Sequence, residues 1–96
     1  MEKGQYLVLG TAHIRCATGK LLNDWADLPP ARQPLSVAPT QYGWFLPTRV
    51  ETSGAAARHL PKEIPAILAL GRAQGCDYVL LDCDGPNEDA LPTFPW

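Results

Sequence analysis

The chain is 96 residues long, 46% hydrophobic and 19% charged, with a formal net charge of −2. Those figures fit a single domain over residues 1–96 built on one core, with a radius of gyration of roughly 13 Å. They exclude a strongly basic nucleic-acid binder, and no apolar run approaches the roughly 20 residues needed to span a bilayer.

Gln5 to His13 opens the chain with strand formers. Tyr6 and Val8 fall on one face and Leu7 and Leu9 on the other, the pattern of a central strand buried on both sides. Met1-Glu2-Lys3 leads into this strand and does not resemble a signal peptide, so a soluble, cytoplasmic protein without a membrane segment is expected. Thr18 is placed to cap a first helix through Leu28, with Leu21, Leu22 and Trp25 at helical spacing, and Pro29-Pro30 stops it. Residues 29–40 are proline-rich and aperiodic, which predicts an irregular surface connection. Tyr42 to Leu46 reads as a second strand that Pro47 ends or holds at an edge. Glu51 to His59 has no commitment to an element and is the expected site of mobility.

Leu60 to Gln74 is the second predicted helix. Leu60, Ile64, Ile67, Leu68 and Gly71 form its buried stripe, Pro61 or Pro65 falls in the first turn, and Gly75 supplies a left-handed C-cap. Asp77 to Cys83 then returns as a buried strand. The expected architecture is a small α/β sandwich of β-α-β-α-β order, with two helices on a mixed three- or four-stranded sheet. A short fourth strand is expected, if anywhere, in the extended tail Ala90 to Trp96, where Pro92 and Pro95 forbid a helix.

The chemistry concentrates where the last strand ends. Asp82 and Asp84 flank Cys83 before Gly85-Pro86, and residues 76–96 carry the five acids Asp77, Asp82, Asp84, Glu88 and Asp89 with no Lys or Arg. Acidity of this kind disfavours a phosphate backbone as ligand, so nucleic acid is not the expected partner. His13 leaves the first strand at the same sheet edge if the first and last strands are parallel, which makes His13, Asp82 and Asp84 the candidate ligand- or partner-binding residues. Cys16 stands near them as a further possible ligand.

Each richer reading has a plainer rival. Asp-Cys-Asp-Gly after an apolar run resembles the nucleophile strand of haloacid-dehalogenase-type phosphatases, but Pro86 replaces their Thr and only eleven residues follow Gly85. Turn chemistry, with Asp82 accepting backbone N–H groups, accounts for the same residues. His13-x-x-Cys16 is half a zinc site without a second pair, so no metal and no cofactor is assigned. Cys16, Cys76 and Cys83 lack C-x-x-C spacing and read as free thiols. Ala17 to Leu21 lacks the glycine spacing and the Ser or Thr of a phosphate loop. Trp44, Phe94 and Trp96 either close a small core or form the interface of a homodimer.

Thr11-Ala12-His13, Tyr42-Gly43-Trp44-Phe45, the segment from Gly75 to Gly85 and Leu91 to Trp96 together resemble a family of small uncharacterised bacterial proteins often carried on plasmids, prophages and other mobile elements. The resemblance implies an accessory protein of mobile DNA and brings no catalytic residues with it. The functional expectation is a non-enzymatic binding or regulatory module for an unknown protein or small molecule. The alternative is a small hydrolase or metal-dependent enzyme using Asp82, Asp84 and His13.

Overall fold

The strand formers near the two ends of the chain pair with each other. The structure is a computed structural model that describes residues 1–49 and 60–96. β1 (Tyr6–Gly10) lies parallel to β4 (Tyr78–Asp82), with Tyr6 beside Tyr78 and Gly10 beside Asp82. No tight turn can join parallel neighbours. The crossover between them carries α1 (Cys16–Ala26), the pair β2 (Ala38–Pro39) and β3 (Gly43–Pro47), and α2 (Glu63–Ala73). β3 runs antiparallel to β4 on its other side, giving a mixed four-stranded sheet in the order β1-β4-β3-β2.

Alternation along the strands sorts the side chains between two faces. Leu9, Trp44, Leu46, Val79 and Leu81 are buried in one core with Leu22 of α1 and with Ile64, Ile67 and Leu68 of α2. Both helices therefore cover the same face of the sheet. Tyr6, Val8, Phe45, Pro47, Tyr78 and Leu80 point to the opposite face, and none of them is fully buried. Three aromatic rings on that face pack on each other: Phe45 stacks on Tyr78 at 4.8 Å and meets Tyr6 edge-on at 5.8 Å. The radius of gyration is 12.5 Å.

The fold class is the expected one, a small α/β domain with a mixed sheet and two helices, and the elements differ in their detail. The fourth strand is Ala38–Pro39, inside the segment expected to be irregular, and the tail is not a strand. Ala38 pairs with Phe45 and Pro39 with Trp44, and Thr40 N–H closes the connection on Gly43 O at 2.8 Å. Pro39 fits there because an edge strand can lack a ladder donor. β1, expected to be a central strand buried on both sides, is an edge strand with Tyr6 exposed, because β4 pairs with it on one side only. It stops at Gly10, short of the expected His13, because Thr11–His13 turn as a 3-10 helix and Ile14 N–H bonds back to Thr11 O.

α1 begins at Cys16, ahead of the expected cap at Thr18, and ends at Ala26. Thr18 is buried inside the helix and donates to Glu63 instead of capping. The buried stripe of α2 is as expected, from Leu60 through Gly71, although the regular helix starts at Glu63, with Pro65 in its first turn. Gly75 ends that helix with φ of 73°, a conformation that costs a glycine little. The expectation for Glu51 to His59 lies outside the described residues.

One expectation about α1 is overturned in a way that can be measured. Leu22 is fully buried, while Leu21 is 39% exposed and contributes little to the stripe assigned to it. Leu22→Ala is expected to cost about 2–5 kcal/mol of unfolding free energy, and Leu21→Ala under about 1 kcal/mol. Urea denaturation of the two variants checks this ranking.

Candidate functional site

The parallel register brings the end of β1 and the end of β4 to one edge of the sheet, as Gly10 lies beside Asp82. Asp82 is the last residue of β4, and Cys83 and Asp84 follow in a turn. Asp82 Oδ1 accepts the Asp84 N–H at 2.8 Å and Asp82 O accepts the Gly85 N–H at 2.9 Å. These are the bonds that an aspartate-led turn requires. One ligand atom from each of Asp82, Cys83 and Asp84 falls within 4.8 Å of the others, with Cys83 and Asp84 exposed. The corner is therefore acidic, solvent-facing and held by its own backbone.

His13 does not join that cluster. Its ring is 1% exposed and is turned toward the C-terminal segment. Glu88 N–H donates to Nε2 at 2.8 Å, and Nδ1 lies 2.8 Å from Pro92 O. A backbone N–H can only donate and a carbonyl can only accept, so Nε2 is the bare nitrogen and Nδ1 carries the proton. Both nitrogens are thereby committed to the main chain. The sheet edge holds His13, Asp82 and Asp84 together, and the direction of the imidazole separates their chemistry.

The rest of the tail docks beside this brace. Phe94 N–H donates to Ala12 O at 2.7 Å, and the Trp96 indole N–H is shared between Thr11 O at 3.1 Å and Ile14 O at 3.0 Å. These acceptors belong to the 3-10 turn after β1 and its exit. The Arg15 guanidinium carbon stands 4.7 Å from the centre of the Phe94 ring, a cation–π contact. Gly19 makes room for the indoles: a Cβ there would lie 2.7 Å from Trp96 Cη2 and 3.2 Å from Trp44 Cη2. Trp44 is a core residue whose indole N–H donates to Asn23 Oδ1 at 2.9 Å. Of the three aromatic residues singled out in the sequence, Trp44 is buried, Phe94 is half-buried and Trp96 keeps an exposed outer face.

Two features escaped the sequence reading. Glu63, the first residue of α2, is buried: Thr18 Oγ1 donates to its Oε1, while Oε2 has no hydrogen bond and lies 3.7 Å from Arg15 Nη1. The signal was present, since Glu63 is three residues after Leu60 and four before Ile67 on the apolar stripe. The second feature is an open cleft of about 590 Å³ at the opposite end of β4, lined by residues that include Lys3, Arg49, Arg72, Cys76 and Asp77. Arg72 is held there by a bond to Thr48 O at 2.9 Å.

The brace makes two measurable demands. His13→Ala leaves the Glu88 N–H and the Pro92 carbonyl without a partner and opens a void, so a loss of about 2–4 kcal/mol is expected. Hydrogen exchange at the Glu88 and Phe94 amides should rise more than at β4. Truncation after Ala90 removes the Phe94 and Trp96 contacts. At about 4–8 °C per kcal/mol for a domain of this size, the melting temperature should fall by roughly 10 °C or more.

Neither a comparison with curated proteins nor one with solved structures finds a match. A family model does match, described as the C-terminal domain of a family of unknown function, DUF5983, and it covers residues 6–96. Among the described residues that span takes in the four strands and two α-helices, the acidic corner, His13 and the docked tail. The chain belongs to the DUF5983 C-terminal domain family.

Proposed function

We propose that this domain is a non-enzymatic binding module that offers the Asp82–Asp84 corner to a cationic partner, with His13 as the internal brace that fixes the corner's surroundings. The observation that carries the proposal is the commitment of both His13 nitrogens to Glu88 and Pro92. A general base needs a free lone pair within reach of its substrate. A metal-binding imidazole needs one as well. His13 has given its lone pair to a backbone N–H. At the corner Asp84 is exposed and Asp82 half-buried, an acidic surface of the kind that recognition of a positive group requires. The setting we infer, an accessory role in mobile DNA, rests on the sequence resemblance described above.

A second reading, a metal-dependent enzyme or small hydrolase at the same corner, is favoured by one observation, the convergence of Asp82, Cys83 and Asp84 ligand atoms within 4.8 Å. The two readings part on a simple measurement. A cation held by the folded state alone raises stability by mass action. Under the binding-module reading, Mg²⁺, Ca²⁺ and Zn²⁺ leave the melting temperature unchanged, metal analysis of the purified protein is blank, and Asp82→Asn/Asp84→Asn abolishes partner capture. A melting temperature that rises with one ion and stays flat with the double variant would replace the module with the metal site.

A further inference from the structure

We propose that the free edge of β1 is a self-pairing surface, through which two copies of this chain associate antiparallel and extend the sheet. The inference is independent of the acidic corner.

The two edges of the sheet are built differently. On the β2 side the strand is two residues long and ends in Pro39, and short, proline-bearing strands are blunted against pairing. β1 is five residues long, and from Gly4 to Gly10 the chain carries no charge and no proline. Its backbone groups alternate in direction. Gln5 O accepts the Asp77 and Tyr78 N–H groups of the β4 side, while the Gly10 N–H turns outward to Pro86 O at 2.8 Å. By that alternation the N–H and C=O groups of Gly4, Tyr6 and Val8 face away from β4. No described residue pairs with Tyr6 or Val8 on that side. The segment at Pro86 blocks the edge at Gly10, so the bare stretch is Gly4–Val8.

That stretch is complementary to itself. With a two-fold axis at Tyr6, antiparallel pairing sets Tyr6 against Tyr6 of the second copy, and Gly4 against Val8 in both directions. The outward-facing residues then meet one another, forming about six hydrogen bonds at two per bonded pair. Tyr6, whose ring meets Phe45 edge-on while Phe45 stacks on Tyr78, lies on this edge and is 57% exposed, and the second copy's Tyr6 extends that aromatic face across the seam. The antiparallel sense also sets the two acidic corners at opposite ends of the seam. There each meets the Glu2–Lys3 end of the other copy, which has no net charge. Parallel pairing would set the acidic corners side by side.

The seam is small. A five-residue edge is about 17 Å long and a sheet about 10 Å deep, well short of the roughly 800 Å² per partner of a standard interface. The association is therefore transient and concentration-dependent.

The test has two arms. In sedimentation from low-micromolar to millimolar protein, the wild type should shift from monomer to dimer. Tyr6→Lys and Val8→Pro should remain monomeric with unchanged far-UV circular dichroism, because the Val8 N–H is not part of the β1–β4 ladder. In a background with the three native cysteines replaced by alanine, Tyr6→Cys should form a disulfide dimer. The expected Cα separation at a bonded pair, about 5.5 Å, lies within the roughly 4.4–6.8 Å of disulfides. Val8→Cys should crosslink at least tenfold less, since its symmetry mate is four residues away in register. Wild type that stays monomeric at millimolar concentration overturns the proposal. So does a dimer abolished by Trp96→Ala but indifferent to Tyr6→Lys, or equal crosslinking at both positions.

Discussion

Everything in this domain is hung on one long-range pairing, the parallel ladder between β1 and β4. Its partners are separated by seventy-two residues, as Tyr6 and Tyr78 are, and the whole crossover has to be accommodated on the sheet between them. Because β4 is flanked by β1 on one side and β3 on the other, its core-facing Val79 and Leu81 take no solvent at all, whereas β1 keeps a free edge. The same ladder sets which chain ends share an edge. With Gly10 beside Asp82, the 3-10 turn after β1 and the acidic turn after β4 become neighbours, and the tail leaving β4 has acceptors waiting for it.

That tail repays the ladder. Pro92 and Pro95 cannot donate, so the segment cannot become a strand. It is fastened instead by single points: the imidazole of His13, one amide at Phe94 and one indole at Trp96. Arg15 ties these points to the helices, standing over Phe94 and near the buried Glu63. Neutral His13 suits the place because an interior polar group is costly unless every donor and acceptor is matched, and here both nitrogens are.

How much of this was legible in the sequence follows from what periodicity can carry. β1, β3, β4 and α2 are long enough for a repeat to declare itself, and the apolar stripe places α2 to within its first turn. β2 is two residues of backbone pairing with no side-chain pattern, so only the neighbouring chain reveals it. Leu21 and Leu22 are adjacent, and helical spacing alone does not say which of the two faces the core. The acidic corner was visible because Asp82, Cys83 and Asp84 are contiguous. The role of His13 was hidden for the converse reason: both its partners are main-chain groups far along the sequence, which no residue type announces. Glu63 lies on the apolar stripe of α2 and is buried, although a carboxylate at a helix start is ordinarily solvated.

The order in which the strands are threaded has a kinetic consequence. β4, an inner strand of the sheet and the only neighbour of β1 among the described residues, is also the last of the four in sequence. A nascent chain can therefore form α1, α2 and the β2–β3 hairpin, but its first strand must wait, unpaired, for its neighbour to be synthesised. Non-local parallel pairing is slow to nucleate. During that interval the apolar edge of Gln5 to Leu9 is available to any other chain in the same state. Synthesis rate and chaperone holding should therefore govern the yield of this domain more than the strength of its finished core. An abortive product lacking residues 78–96 would carry the apolar stripes of α1 and α2 without the strand that joins β1 to β3 beneath them.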